Sequence, residues 1–173
     1  MVFVNETAMS SGFLDLEFVP PGASIISMAT HRLSRLLRSE LGELLNQQAG
    51  IGLPGWRIYV GLASCGEITQ KELVDFTKIE QGQISRSLAF MEGDGLIASR
   101  RCDDDKRSRR FSLTAKGRGE FERLLPSVTV YCDAVDQALS EDELKLFLSM
   151  AERIATAANR VSERRPEKAV EPA

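Results

Sequence analysis

Residues 103 to 110 read Asp-Asp-Asp-Lys-Arg-Ser-Arg-Arg. No small core could neutralise such a run, so the segment has to lie in solvent or against a partner. Between Arg100 and Arg118 there are eight Lys/Arg against three Asp, a local charge of +5. The whole chain carries −3, which leaves −8 for the remainder. A basic island on an acidic body is the electrostatic footprint of a surface that meets a polyanion; the alternative is a solvated loop that serves solubility.

Other chemistry is poorly supplied. His31 is the only histidine, so a Ser-His-Asp or Cys-His site would have a single base to draw on, and no nucleophile motif surrounds any serine. A phosphate-cradling Gly-rich loop and a dinucleotide fingerprint are both missing. A metal centre would have to combine His31 with Cys65, Cys102 and Cys132, which lack paired spacing. The sequence therefore predicts no enzyme, no metal and no cofactor. Three scattered cysteines fit a reducing cytoplasm, and no run is long and apolar enough to span a membrane. Cys102 neighbours Arg100 and Arg101, which favour thiolate, so a redox-sensing role is a competing expectation; Cys65 and Cys132 are expected to pack as small hydrophobes.

The elements that must position the basic run can be read outward from it. With 173 residues, 43% hydrophobic and 6% aromatic, the chain suits one mainly helical domain with long helical arms. Residues 1–23 are poorly patterned, end in Pro20-Pro21-Gly22, and read as a flexible or partly docked arm. Apolar residues at helical spacing from Ile25 to Leu45 predict a helix within 24–50. Pro54 opens a second helix, which stops near Gly66. Thr69 and Glu72 form a capping box for a short third helix ending near Phe76. A second short helix, about Gln81 to Glu92, turns Ile84, Leu88 and Met91 inward.

Two short helices joined tightly form a helix-turn-helix. Leu96–Arg101 and Arg109–Leu113 are strand-like, so the charged octet bridges a hairpin and the unit 54–114 is a winged helix. Two helices fill 115–160. Pro126 is expected to bend or interrupt the first, and a capping box at Ser140 and Glu143 opens the second. Residues 161–173 read as a disordered tail.

Gly52–Leu62, Ile68–Leu73, and Gln83–Ile97 resemble the MarR family of bacterial transcription regulators. The strongest match is Asp105-Lys106-Arg107 followed by Arg109–Gly117, similar to the family's Asp-x-Arg wing tip and the Leu-Thr-x-x-Gly that opens the next helix. The resemblance covers about residues 24–160. It implies a winged helix-turn-helix core whose N- and C-terminal helices form an intertwined homodimer. The implied function is a repressor that binds a pseudo-palindromic stretch of double-stranded DNA and is released by a small aromatic or phenolic ligand. A winged-helix protein-interaction module without DNA binding is the other reading.

On DNA, a winged helix lays one helix in the major groove with the hairpin beside it. Arg107 is the candidate for insertion into the adjacent minor groove, with Asp105 holding its guanidinium in a bidentate pair; the resemblance implies the same roles. Lys106, Arg109 and Arg110 are candidates for phosphate, against a purely solvating role. On the recognition helix Gln81, Gln83, Ser85, Arg86 and Ser87 are the polar positions that can read bases or phosphates. Thr69 and Gln70 could offer backbone N–H groups to a phosphate, unless Thr69 serves only as a cap. The ligand candidates are His31, Arg35, Trp56 and Tyr59. Two departures from the family pattern stand at the recognition helix: Glu80 occupies the usual serine-type cap position, and Gly82 in the first turn costs up to about 1 kcal/mol against alanine.

Overall fold

The computed structural model describes residues 14, 16, 18–102 and 108–163, the last three by backbone alone. The chain divides after Val128 into two compact units. The first contains α1 (Ile25–Ala49), α2 (Leu53–Cys65), β1 (Glu67–Thr69), α3 (Gln70–Thr77), α4 (Gln81–Gly93), β2 (Ile97–Arg101) and β3 (Arg109–Leu113). Helix α5 (Ala115–Asp136) begins in it, and α6 (Glu141–Glu163) belongs to the second. The chain is mainly helical, with one three-stranded antiparallel sheet in the order β1-β3-β2.

Caps place most helix starts where the sequence predicts them. Ser24 accepts from the N–H of Ser27, and Gly50, at φ 63°, ends α1. Gly has no Cβ to clash at such a left-handed φ. At α3 the predicted box is complete: Thr69 accepts from the Glu72 N–H, and Glu72 accepts from the Thr69 N–H at 2.7 Å. The same pattern recurs at Ser140 and Glu143. Glu80 opens α4 without a side-chain cap bond. The turn between α3 and α4 is built on Lys78, a non-glycine residue at φ 53°, and Arg57 of α2 donates to the Thr77 carbonyl just before it.

The core of the first unit collects Leu45, Ile58, Tyr59 and Leu62 from α1 and α2 with Leu73, Ile84, Leu88 and Met91 from α3 and α4. Ile97 and Phe111 seal it from the sheet, Leu124 and Val128 from α5. Burial of these large apolar side chains, at about 25 cal/mol per Å², is the force that orients α4. Trp56 stacks on Phe121 with ring centroids 5.3 Å apart, which fastens α5 to α2.

Several expectations need correction. Pro126 does not interrupt α5, which runs unbroken from Ala115 to Asp136. A proline removes only its own hydrogen bond, and the flanking turns keep theirs. Cys65 and Cys132 are exposed rather than packed, one at the last position of α2 and the other on α5. The final helix extends to Glu163, past the boundary at 160. In the N-terminal stretch, expected to be flexible or partly docked, Leu16 is buried and Arg32 of α1 donates to the Leu14 carbonyl, so the part described there is docked. The rest of the predicted arm and the predicted tail from 164 onward lie outside the described residues.

Candidate nucleic-acid interface

Helix α4 is buried through Ile84, Leu88 and Met91, at spacings of four and three. That seam turns the other faces outward. Gln81, Gln83, Ser85 and Arg86 are exposed, and Ser87 is half-buried. The structure thus presents the five predicted recognition-helix residues on one short, firmly seated helix. Their chemistry, two amides, two hydroxyls and a guanidinium, suits base edges and phosphates. Thr69 is already engaged: its N–H and hydroxyl both donate to the Glu72 carboxylate, at 2.7 and 2.8 Å. These bonds hold Glu72 below the usual carboxylate range. Gln70 follows as the first residue of α3 and is half-buried.

The wing grows from β2 and β3, which pair from Ile97 with Leu113 to Arg101 with Arg109. Its root is locked to α5. The Thr114 hydroxyl donates to the Gly95 carbonyl at 2.7 Å and accepts from the Gly117 N–H at 3.0 Å. Gly117 lies so close that a Cβ there would sit 1.8 Å from the Leu96 carbonyl oxygen. This close approach is the physical content of Leu113-Thr114-x-x-Gly117. Lys116 adds a bond to the Asp94 carbonyl at 2.6 Å. Farther out, the Cys102 N–H donates to Ser108 at 3.0 Å, and half-buried Cys102 sits at the end of the ladder. Asp105, Lys106 and Arg107, predicted for the tip, lie outside the described residues.

Arg109 and Arg110 are placed at the outer end of the β2–β3 ladder, and both have protein partners. Arg109 donates to Glu92 Oε1 at 2.6 Å and to the Ser99 hydroxyl. Arg110 reaches the Glu67 carbonyl at 3.4 Å. Arg100 forms a bidentate pair with Glu67, both bonds 2.7 Å, which holds that carboxyl below its ordinary range. Sequence reasoning passed over Glu67 and Glu92. Their signal was present in the hairpin register, which sets arginines opposite one another and leaves them needing carboxylates.

The four ligand candidates do not share one cavity. Trp56 and Tyr59 lie in the core, 6% and 0% exposed, against Phe121. Their bulk fills the contact between α2 and α5 rather than lining a void. His31 and Arg35 instead line an open cleft of about 450 Å³ along α1, to which Gly52 and Leu53 also contribute. Arg38 and Asn46 line the same cleft and were not predicted for it. Among the described residues no cluster of metal-ligating side chains occurs, and no helix is long and apolar enough to cross a membrane.

Comparison with known proteins agrees with this geometry. The sequence model of the MarR family matches residues 61–108, the span from mid-α2 to the wing. The HTH-type transcriptional regulator BilQ of Clostridium symbiosum (strain WAL-14163) is 30% identical over 113 residues, 65% of this chain and 76% of BilQ. The chain belongs to the MarR family. Its fold is that of solved MarR-family regulators from Streptomyces coelicolor. Sco3205, crystallised in complex with DNA, superposes with a TM-score of 0.71 at 22% identity, over 81% of this chain and 89% of Sco3205. PcaV, in complex with its natural ligand, gives 0.65 at 20% identity, over 79% and 99%. As a MarR-family transcriptional regulator, the chain has its helix-turn-helix in α3 and α4 and its wing in β2 and β3.

Proposed function

We propose that this MarR-family regulator is a cytoplasmic repressor that binds a pseudo-palindromic operator as a homodimer and lets go when a small anionic aromatic compound binds. The observation that carries the reading is α4: an exposed row of Gln81, Gln83, Ser85 and Arg86 backed by a fully buried seam, beside an arginine-rich hairpin. Two copies would present two such helices to half-sites about 34–36 Å apart. One helix and one wing make too few contacts for the usual operator affinities. Arg107, aimed by Asp105, enters the minor groove flanking each half-site, while Lys106 meets phosphate. Exposed apolar side chains on α6, among them Phe147 and Met150, support a second copy as their cover.

The effector reading rests on the α1 cleft. His31, Arg35 and Arg38 line it, and among the described residues that line it there is no carboxylate, so it suits an anion. Release follows if the ligand prefers a dimer whose two α4 helices no longer match the half-site spacing. The test is a mobility shift on the DNA upstream of the chain's own gene, run at several salt concentrations. A regulator binds as a dimer, with log affinity falling steeply against log salt. Arg107→Ala should weaken binding about tenfold or more while the dimer stays folded. Affinity that does not change on that substitution removes Arg107 from the interface. A chain that ignores DNA but captures a protein favours the interaction-module reading.

A further inference from the structure

The register of the wing sets like charges against each other. Arg100 lies opposite Arg110, and Arg101 opposite Arg109. Directly opposed cations on one face of an antiparallel pair repel, and β2 and β3 have only five residues each in which to resist. The two pairs point to opposite faces of the hairpin. Arg101 and Arg109 share the face that carries buried Ile97 and Phe111; Arg100 and Arg110 share the other.

Among the described residues, each face is answered by a carboxylate from a different element. On the first, Glu92 from the last turn of α4 accepts from Arg109 at 2.6 Å and from the Ser99 hydroxyl at 2.7 Å. Arg109 also lies over the Phe111 ring, 5.3 Å from its centroid. On the second, Glu67 of β1 takes both N–H groups of Arg100 in a fork. The guanidinium groups of Arg100 and Arg109 are thus held near the outer end of the ladder, where the chain leaves at Cys102 and returns at Ser108.

Carboxylates are a liability on a surface that meets a polyanion. Each one cancels a positive charge and weakens attraction to every duplex, whatever its sequence. Exposed ion pairs also do little for fold stability. Something other than net attraction must account for two of them here. We propose that Glu92 is a positioning residue for operator recognition: through Arg109 and Ser99 it fixes the pitch of the wing against the recognition helix. Glu67 does the same from the other face through Arg100. The proposal rests on the DNA-binding reading above. It trades general affinity for discrimination, because wing and helix then fit only a duplex whose two grooves lie in the right relation.

The experiment compares wild type, Glu92→Gln, Arg109→Gln and the double variant. Each is titrated by fluorescence anisotropy against the duplex that wild type selects from a randomised pool, and against a scrambled duplex of equal length, at several salt concentrations. Thermal melts confirm that each variant is folded. The expected result is opposite in sign on the two DNAs. Glu92→Gln binds the selected duplex about fivefold more weakly and the scrambled duplex no less tightly, although it has lost a negative charge. Arg109→Gln weakens selected binding by a similar factor with the salt slope unchanged, and the double variant is no worse than either single one. Glu67→Gln follows Glu92→Gln. Tighter or unchanged binding of the selected duplex by Glu92→Gln overturns the proposal. So does a salt slope about one unit shallower for Arg109→Gln, which would make Arg109 a phosphate contact. A wild type that selects no duplex overturns the DNA-binding reading and the proposal together, and shows itself before any variant is compared.

Discussion

Gly117 shows how one carbonyl can dictate a residue. A methyl group there would meet the Leu96 oxygen at 1.8 Å and its carbon at 2.8 Å, both backbone atoms fixed by the α4–β2 turn. The same oxygen accepts from the Thr114 N–H at 3.1 Å, so it cannot swing away without breaking that bond. Gly117→Ala should therefore cost about 2–4 kcal/mol in urea unfolding, a large loss for one methyl group. A loss under about 0.5 kcal/mol would mean that α5 slides to make room. Tyr59 presents the converse problem, a group with too few partners. Its hydroxyl is buried with no hydrogen-bond partner among the described residues. Burial, then Glu120 and Asp94, push its pKa up to about 12, with Arg123 opposing. The folded state thus disfavours phenolate. Stability is complete below the ordinary tyrosine value of about 10 and falls as pH climbs from there towards 12. Tyr59→Phe should leave the fold as stable or up to about 1 kcal/mol more so at pH 7, and should flatten the alkaline loss. Melts between pH 7 and 11 check both; a clear destabilisation at pH 7 would mean that the hydroxyl is satisfied after all.

Element boundaries follow from local chemistry that has little to do with the core. At α3 the Thr69–Glu72 box satisfies N–H groups that would otherwise be orphaned. Thr69→Ala should cost about 1 kcal/mol in chemical unfolding. The Glu72 carboxyl should then rise only part of the way towards its ordinary range, since the hydroxyl bond is lost while the backbone N–H of residue 69, the larger cause, still donates to it. A carbon-detected titration of Glu72 would see that partial rise, and an unmoved value would assign the shift to the backbone N–H of residue 69 alone. Such caps were legible in the sequence because an oxygen-bearing side chain, a glutamate three residues on and an apolar pair occur together. The same three residues concealed β1. Glu67-Ile68-Thr69 pairs with Ser112, Phe111 and Arg110, a partner more than forty positions away that no local pattern announces. Pro126 misled only as an interruption, for a related reason: composition marks the lost bond, but the turns that tolerate it depend on neighbours. Tyr59 read as a pocket residue by type, and Trp56 as core or pocket; Phe121 claims both rings across the α2–α5 contact. The recognition helix was legible because its buried seam leaves its polar residues nowhere else to go. Glu67 and Glu92 were not, because charge counting registers the sum of a basic run and is blind to which arginine faces which.

At the scale of the molecule the question is what the exposed apolar surface is for. On α6, Phe147, Met150 and Ile154 recur at spacings of three and four and are 47%, 42% and 41% exposed; Leu146 and Leu148 are 58% exposed. Soluble chains rarely leave such a row uncovered. A helix apolar along one stripe and charged elsewhere is built to be packed against, and its Glu141–Lys145 pair at 2.7 Å helps only the helix itself. With a second copy as the cover, Phe147→Glu together with Ile154→Glu buries two unpaired carboxylates in the interface, a cost the association cannot absorb. Sedimentation should show wild type as a dimer and the double variant as a monomer at micromolar concentration. The core packed around Ile58, Leu62, Ile84 and Met91 lies in the other unit, so a melt should still show a cooperative transition from it. Operator affinity, in contrast, should drop at least a hundredfold. The second half-site contact is intramolecular for a dimer and must be made afresh by a monomer. A dimer that survives both glutamates places its interface elsewhere. A monomer that keeps full affinity would mean that one recognition helix and one wing suffice, and the two-fold operator would then have no physical basis.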